Sequence, residues 1–317
     1  MSLVNGELWK DADGNPIHAH GGHILKFNGW YYWYGENRRG ETFVSCYKTK
    51  DFEKFFFCND VLTANSATLD EGKGRDTSLK SFPSADSGGN ILSRRNAKGE
   101  LLCNIERPKV VQNEDGKFVM WMHYENGADY SAARCAVAVC DVPDGDFTYL
   151  GSFNPLGNMS RDCTLYEENG RAYFISAARD NKDLSVYRLD RTRTDIETQV
   201  ATLFTGKERE APAFFRKDGK TYVISSGCTG WTPNQGKWAV ADGIEEKFSR
   251  LRDFGDGTTF GSQPAFVVSG ENGYVYFGDR WGGGGEKYFL SSYVALNIRF
   301  DGERPYIAYV KDAEFYL

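Results

Sequence analysis

The sequence lacks several features that would assign it to common classes of protein. No window approaches the roughly 18 consecutive apolar residues that a membrane-spanning helix requires. No basic run or stripe of the kind that binds nucleic acid is present, and the formal net charge is -6. We therefore expect neither a membrane protein nor a DNA- or RNA-binding protein.

The first residues, MSLVNGELWKDADG, also lack a signal-peptide pattern, because no apolar core follows a basic start. As written, the sequence predicts a cytoplasmic protein. If residues 1–3 stand in place of a removed signal peptide, a secreted or periplasmic protein is expected instead. No pattern indicates an oligomeric state.

Paired cysteine spacing is absent as well. The seven Cys residues are odd in number, and several lie in apolar runs such as CAVAVC at 135–140. Buried free thiols in a reducing compartment are expected. No Cys has a His beside it in the sequence, which disfavours thiol catalysis.

Glycine and aromatic residues, in contrast, are plentiful. The chain has 35 Gly and 15% aromatic residues, and no stretch shows the long apolar period of a helix. Short runs rich in aromatic residues and separated by glycine turns favour an all-β fold with many short strands.

A repeat of strand, tight turn and aromatic strand occurs five times. The turns are Asn28-Gly29, Asp115-Gly116, Asn169-Gly170, Asp218-Gly219 and Asn272-Gly273. Such dipeptides favour hairpins because both central turn positions need a positive φ. The turn glycines are 87, 54, 49 and 54 residues apart, which suits blades of four short strands. The sequence therefore predicts an all-β, five-bladed β-propeller that forms a single catalytic domain over residues 1–317.

The long first interval has its own explanation. Residues 63–100 are rich in Ser, Gly, Asn, Asp and Arg. We interpret them as an inserted surface loop that could cover one face of the disc.

In a propeller the innermost strand of each blade lines the central channel, and its first residue lies at one end. The residues in this position are His20, Glu106, Asp162, Glu210 and Gln263. Three crowded carboxylates give a structural protein no benefit, since repulsion and desolvation both oppose folding. In an enzyme, crowding and burial raise one carboxyl pKa while a neighbour stays ionised, as hydrolysis of a glycosidic bond requires.

Aromatic residues near these carboxylates are candidate sugar platforms. Trp231 and Trp281 follow the fourth and fifth hairpins, and Tyr124 ends the second. With His20 and Arg107 they form the predicted substrate-binding set. The alternatives are packing between blades for the two tryptophans and a structural ion pair for Arg107.

A metal-dependent mechanism is disfavoured. His18, His20 and His23 would not share one face of a strand, and no HExxH helix is present. We expect no required cofactor and no catalytic metal, while a structural calcium ion in the channel stays open as an alternative.

Eight motifs together resemble glycoside hydrolase family 43, in particular the branch that includes exo-β-1,3-galactanases. The resemblance covers about residues 17–281, and its motifs are AHGG at 19, YYWYGE at 31, ERPKV at 106, VMWMHYEN at 119, SRDCTLY at 160, REAPAFF at 209, SSGCTGWTPNQ at 225 and SQPAFV at 262. The resemblance implies a five-bladed propeller that cleaves oligo- or polysaccharides by an inverting, exo-acting mechanism.

The resemblance also implies roles for single residues. Glu210 would be the general acid and Asp162 the group that holds and tunes it. Glu106 would bind hydroxyls of the cleaved sugar, and Gln263 would hold the attacking water.

One departure from the wider family concerns the general base. Most members carry an Asp on the first inner strand, where this chain has His20-Gly21-Gly22. Water activation then involves a tautomer relay through Gln263, Glu106, or another carboxylate such as Asp11 or Asp13.

The expected activity is that of a galactan 1,3-β-galactosidase acting on arabinogalactan-type plant polysaccharide. An α-L-arabinofuranosidase, β-galactofuranosidase or β-xylosidase of the same family is the alternative. A second alternative is an inactive carbohydrate-binding propeller. A WD- or kelch-type interaction propeller ranks last, because the repeats lack those signatures.

Overall fold

Each of the five sequence repeats contributes to a four-stranded antiparallel sheet in the computed structural model, which describes residues 3–81 and 93–317. Strands are numbered along the chain, and within each sheet the first strand is the innermost. The first sheet, blade 1, contains β1 (His20–Phe27), β2 (Trp30–Glu36), β3 (Thr42–Thr49) and β4 (Phe56–Thr63). A two-stranded sheet follows, made of β5 (Lys80–Ser81) and β6 (Leu101–Leu102).

The remaining four blades repeat the pattern of blade 1. Blade 2 contains β7 (Asn104–Gln112), β8 (Phe118–Glu125), β9 (Arg134–Cys140) and β10 (Thr148–Phe153). Blade 3 contains β11 (Cys163–Glu168), β12 (Arg171–Ala178), β13 (Asp183–Leu189) and β14 (Ile196–Leu203). Blade 4 contains β15 (Arg209–Lys217), β16 (Lys220–Gly227), β17 (Gly236–Ala241) and β18 (Arg252–Phe254). Blade 5 contains β19 (Gln263–Ser269), β20 (Tyr274–Arg280), β21 (Ser292–Asp301) and β22 (Arg304–Tyr306).

These five sheets confirm the predicted five-bladed propeller. Each innermost strand contacts the innermost strands of both neighbouring blades, so β1, β7, β11, β15 and β19 form a closed ring around the channel. In the part of the chain that the structure describes, helix is confined to two short 3₁₀ segments, Pro155–Gly157 and Gly285–Leu290. Neither is long and apolar enough to cross a membrane.

The predicted hairpin turns occur at all five positions, but only three have the expected backbone. Both central residues have a positive φ in Asn28-Gly29, Asn169-Gly170 and Asp218-Gly219. In the second blade a five-residue loop, 113–117, replaces the tight turn. Asn113 Oδ1 stabilises this loop by accepting hydrogen bonds from the N–H groups of Asp115 (3.1 Å) and Lys117 (2.9 Å). Neither residue of Asn272-Gly273 has a positive φ. Residues 270–273 connect β19 and β20 there, in place of a two-residue turn.

Hydrophobic cores lie between successive blades, because each strand sends alternate side chains to opposite faces of its sheet. Trp121 of blade 2 packs on Phe174 of blade 3, with ring centroids 4.7 Å apart. Trp33 of blade 1 packs on Phe277 of blade 5 at 5.8 Å. Five such clusters join the blades into one ring.

The two ends of the described chain meet against blade 5. The N–H of Ala313 donates to the carbonyl of Leu3 at 2.8 Å, and the N–H of Gly6 donates to Tyr293 O at 2.8 Å. The buried side chain of Asn5 donates to Ala295 O (3.1 Å) and accepts from Ala295 N–H (2.7 Å). These contacts link the N-terminal segment, which leads into blade 1, to β21.

The predicted insertion lies along the second blade. The N–H of Tyr149 on β10 donates to Ala67 O, and the backbones of Asp76 and Ser152 bond to each other in both directions. Ala64 and Leu79 join the core between blades 1 and 2. Residues 82–92, which belong to the predicted loop, lie outside the described residues.

Candidate active site

The channel opens at one end into a cavity of about 320 Å³. Its lining is rich in charged and aromatic side chains. The lining residues are Glu36, Arg38, Glu106, Arg107, His123, Tyr130, Arg161, Asp162, Asn181, Glu210, Cys228, Gly230, Trp231, Gln263 and Trp281. Four of the five residues predicted to converge at the channel mouth therefore do so, and His20 is the exception.

Backbone irregularities lie at the starts of three inner strands and redirect two of the lining side chains, Glu106 and Glu210. The register of the innermost strand shifts directly after His20, Glu106 and Glu210. The following residues, Gly21, Arg107 and Ala211, have φ values of 56, 52 and 52°. Such bulges bend a strand and redirect a side chain, and they recur near active sites. Asp162 needs no bulge, since it directly precedes β11.

Glu210 has the properties of a general acid. Burial and the nearby charge of Asp162 raise the pKa of Glu210 to about 7. Its Oε1 accepts a hydrogen bond from Gln263 Nε2 at 2.8 Å, and its Oε2 accepts one from Asn181 Nδ2 at 3.2 Å. A carboxyl group with this pKa holds its proton for part of the time at neutral pH and can release it during a reaction.

Asp162 is held rigidly beside Glu210. Its Oδ2 pairs with Arg107 Nε at 2.8 Å and accepts a hydrogen bond from the N–H of Ala211 at 3.0 Å. The second contact ties Asp162 to the residue that follows Glu210, so the two carboxyl groups keep a fixed relation.

The pKa of Glu106 is lowered, in contrast to that of Glu210. Burial opposes its ionisation, but the contact with His123 and the charges of His123 and Arg38 hold the pKa of Glu106 well below its ordinary value. Arg38 Nη2 and Tyr130 Oη lie 2.8 and 2.9 Å from Glu106 Oε1. Although burial acts the other way, Glu106 and Glu125 raise the pKa of His123 to about 10. Glu106 is therefore a permanent anion suited to binding sugar hydroxyl groups.

Glu36 is a lining carboxylate that the sequence reasoning missed. Its Oε1 accepts from the N–H of Arg107 at 3.1 Å, and its Oε2 accepts from Arg38 Nη2 (3.1 Å) and Tyr288 Oη (3.2 Å). Burial raises the pKa of Glu36, and the charge of Glu106 adds to this effect against the charge of Arg38. Gly21 makes room for it, because a Cβ there would lie 2.7 Å from Glu36 Oε1.

A signal for Glu36 and His123 was present in the hairpins. In an antiparallel hairpin the last residues of the second strand lie beside the first residues of the inner strand. Thus His20 pairs with Glu36, and Glu106 pairs with His123. Polar residues at the ends of second strands were therefore site candidates, whereas Arg38, Tyr130, Asn181 and Cys228 lie in loops with no comparable signal.

Two predicted substrate-binding residues do not reach the cavity. His20 is completely buried, with Nδ1 3.1 Å from Asp279 Oδ1 and its ring stacked on Tyr293 at 4.8 Å. Tyr124 belongs to the core between blades 1 and 2, because strand alternation turns it away from its neighbour His123. These two placements correct the sequence-based prediction.

The other three predicted substrate-binding residues, Arg107, Trp231 and Trp281, do line the cavity. The two tryptophan rings meet edge to face at 5.4 Å, and Trp281 stacks on Tyr288 at 5.9 Å. This aromatic wall suits packing against the CH groups of a sugar ring.

Gln263 is fully engaged by the protein. Its Oε1 accepts from Arg107 Nη2 (2.6 Å) and Trp281 Nε1 (2.8 Å). Its Nε2 donates to Glu210 Oε1 (2.8 Å) and Ser226 Oγ (3.0 Å). An amide has two donors and two acceptor positions, so a water reaches Gln263 only when one of these four partners moves.

The carboxylates considered for water activation differ in position and in pKa. Asp11 accepts hydrogen bonds from the N–H groups of Asp13 and Asn15 in a loop, and neither Asp11 nor Asp13 is among the lining residues. Glu106 is a weak base because its pKa is low. Glu36, with its raised pKa, is the stronger base of the two.

One cluster has the composition of a metal site, but its carboxylates already have cationic partners. Single atoms of Glu106, His123 and Asp162 lie within 4.8 Å of one another. Arg38 pairs with Glu106 and Arg107 with Asp162. A cation would have to compete with these two guanidinium groups.

Comparisons with known proteins identify a family and related structures. A family model described as glycosyl hydrolases family 43 matches residues 108–247. Among solved structures, the chain is similar to an exo-β-1,3-galactanase from Clostridium thermocellum, with 40% identity and a TM-score of 0.83 over 99% of this chain and 68% of that chain.

Two further solved structures show the same similarity. One is a GH43 β-1,3-galactosidase with galactodeoxynojirimycin, at 28% identity and a TM-score of 0.81 over 99% of this chain and 100% of that chain. The other is an exo-β-1,3-galactanase from Phanerochaete chrysosporium with β-1,3-galactotriose, at 30% identity and a TM-score of 0.80, covering 97% of this chain and 66% of that chain. No curated protein matches the chain.

Proposed function

The chain belongs to family 43 of the glycosyl hydrolases, and from this membership we propose that it is an inverting, exo-acting galactan 1,3-β-galactosidase. The observation that carries the proposal is the buried carboxyl group of Glu210. Its pKa is raised to about 7 beside the ion-paired Asp162, in a cavity walled by Trp231 and Trp281. The substrate is taken from the three related structures, whose names specify β-1,3-galactan or β-1,3-galactosides.

In this mechanism Glu210 gives its proton to the glycosidic oxygen as the bond to C1 of the terminal galactose breaks. Water attacks C1 from the opposite face of the ring, so the released galactose has the α configuration. The water loses its proton to a base in the lining, and Glu36 has the raised pKa that this role needs.

The other lining residues bind and orient the sugar. Glu106 stays ionised and accepts hydrogen bonds from sugar hydroxyl groups, which polarises them in the transition state. Trp231 and Trp281 hold the apolar face of the ring. Arg107 pairs with Asp162 and donates a hydrogen bond to Gln263, so it fixes the positions of both side chains.

The test is incubation with β-1,3-galactobiose and β-1,3-galactan, followed by ¹H NMR during the first minutes. We expect galactose as the only small product, released initially as the α anomer. Glu210→Gln should retain binding and lose about 10²-fold or more in kcat.

Nitrophenyl α-L-arabinofuranoside, β-galactofuranoside and β-xyloside serve as comparison substrates. Cleavage of one of them with galactobiose left intact would contradict the proposed substrate. Equal binding of galactan by wild type and Glu210→Gln, with turnover by neither, would contradict the enzymatic function.

A further inference from the structure

The loop between β12 and β13 has an unusual backbone beside the general acid. Three successive residues, Arg179, Asp180 and Asn181, have φ values of 49, 54 and 60°. Asn and Asp adopt this left-handed conformation more readily than most residues, but three such residues in a row, with an Arg among them, are held only where the surroundings impose it. Such strain is often concentrated at functional sites.

Contacts on both sides hold this turn, which we call the 179–181 turn. Arg179 Nη2 bonds to Asp183 Oδ1 at 2.9 Å, and the N–H of Gly206 donates to the same oxygen at 2.8 Å. On the other side, Arg161 Nη2 lies 3.5 Å from Asp180 Oδ1. The turn is therefore anchored to the start of β13, to the segment before β15 and to a residue of the cavity lining.

The result of this arrangement is the position of the Asn181 side chain. Its Nδ2 donates to Oε2 of Glu210 at 3.2 Å, while Gln263 Nε2 donates to Oε1 at 2.8 Å. Two amide groups therefore hold the two oxygens of one carboxyl group.

The Oδ1 atom of Asn181 is buried and has no hydrogen-bond partner among residues 3–81 and 93–317. A buried acceptor without a partner is unfavourable, so its presence beside Glu210 needs an explanation. A half-turn of the amide exchanges its nitrogen and oxygen, which brings this acceptor to Glu210 Oε2.

We propose that Asn181 is a positioning residue that keeps the acidic proton of Glu210 on Oε2, by donating to the carboxylate and accepting from the hydroxyl of the neutral acid. The inference rests on the proposed function, since it assigns a partner to the general acid. Gln263 supports the same outcome, because its N–H group faces Oε1 and leaves Oε2 as the oxygen that carries the proton.

This arrangement matters because Glu210 is present in both forms near neutral pH. An amide that can present either a donor or an acceptor satisfies each form in turn. The carboxyl group then keeps one orientation, with its proton on Oε2 until the proton is transferred to the glycosidic oxygen.

The test uses Asn181→Gly, which removes the amide but suits the left-handed turn. The matched control is Asp180→Gly, which relaxes the same turn and removes its contact with Arg161 but leaves the Asn181 amide in place. We expect Asn181→Gly to lower kcat on β-1,3-galactobiose about tenfold, a part of the usual contribution of a general acid. On 2,4-dinitrophenyl β-galactoside the change should be less than twofold, because that leaving group needs no proton.

Two measurements of the pKa of Glu210 accompany the rate measurements. The side-chain Nδ2 of Asn181 bonds to the charged form of Glu210 more strongly than the side-chain Oδ1 bonds to the neutral form, so removing the amide should raise the pKa of Glu210. The alkaline limb of kcat/KM should move to higher pH. The same rise should appear by ¹³C NMR of enzyme with labelled Glu carboxyl groups, where Glu210→Gln identifies the signal.

Several results would overturn the inference. These are equal losses on both substrates, an unchanged pKa of Glu210, or the same changes in Asp180→Gly. An effect on KM alone would assign Asn181 to sugar binding instead. The NMR readout needs no substrate, so it decides the inference even if wild-type enzyme releases no galactose, which would count against the proposed function.

Discussion

At the scale of single residues, the site contains carboxyl groups in contrasting environments. Burial and the charge of Asp162 raise the pKa of Glu210, whereas contacts with His123 and Arg38 hold the pKa of Glu106 low. Each group therefore has one suitable task, proton donation for Glu210 and hydroxyl binding for Glu106. The division depends on which cations lie within contact distance.

The pH dependence of the enzyme follows from Glu210. A general acid works in its protonated form, so kcat/KM on β-1,3-galactobiose should fall as the pH rises through about 7. A pH-rate series between pH 4 and 9 measures this limb. On 2,4-dinitrophenyl β-galactoside the limb should disappear, and an identical limb on both substrates would assign it to another group.

Glu36 gives a second residue-scale prediction. A base works in its deprotonated form, so the raised pKa of Glu36 should set an acid limb above the ordinary carboxyl range. Glu36→Gln should lower kcat about 10²-fold on galactobiose and on the dinitrophenyl substrate alike, since water attack is needed in both cases.

Glu106→Gln is the matched control, because a group whose pKa is already low sets no limb in the measurable range. We expect Glu106→Gln to raise KM and to keep an acid limb, which moves to lower pH because the charge of Glu106 no longer raises the pKa of Glu36. An acid limb that persists in Glu36→Gln would contradict the assignment of the base to Glu36.

At the scale of strands and turns, the bulges near the starts of β7 and β15 influence where Glu106 and Glu210 point. Ala211 has a φ of 52°, which follows the register shift after Glu210. Ala211→Gly should stabilise the protein by about 1 kcal/mol, because a left-handed backbone is unstrained only in glycine. Ala211→Val should destabilise it by about 2 kcal/mol and lower kcat, as Glu210 loses its orientation.

The control is Ala213, two residues further along β15, where φ is not positive. Ala213→Gly should lower the free energy of unfolding, the reverse of the effect at Ala211. Urea denaturation of the variants measures the sign of each change in the free energy of unfolding. Two glycine substitutions with effects of the same sign would show that the bulge carries no strain.

These bulges also mark the limit of sequence-based prediction. Periodic strands and Asn-Gly or Asp-Gly turns located the hairpins, because those signals act locally. The left-handed residues at the bulges include Arg107 and Ala211, which have no preference for that conformation. Loop residues such as Arg38 and Asn181 reach the cavity through tertiary contacts, which local patterns do not encode.

At the scale of the whole molecule, the repeat was sufficient to predict the architecture and the convergence of Glu106, Asp162, Glu210 and Gln263. It failed for His20, which occupies the equivalent strand position but pairs with Asp279 in the interior. Equivalent positions in a repeat thus give equivalent backbone placement, whereas the side-chain environment depends on neighbouring blades.

Closure of the ring can be tested through Asn5. Its buried side chain makes three hydrogen bonds, to both backbone groups of Ala295 and to Val310 O. Asn5→Ala leaves these buried groups unpaired and should lower the free energy of unfolding by about 3 kcal/mol. The exposed Asn65→Ala is the control and should change it by less than about 0.5 kcal/mol. Comparable effects in urea denaturation would exclude Asn5 from ring closure.

Separate hairpins carry the site residues, and this affects how such an enzyme can evolve. Each blade brings its own residue to the channel mouth, and the cores that hold the ring together lie elsewhere, between the sheets. A substitution at one position can therefore alter the chemistry without disturbing the framework, while hydrogen bonds between blades, such as that from Arg107 to Gln263, extend the change to neighbouring side chains. The first blade illustrates both effects, since a second-strand glutamate fills the space that a glycine leaves open and accepts a hydrogen bond from the N–H of Arg107 in the second blade.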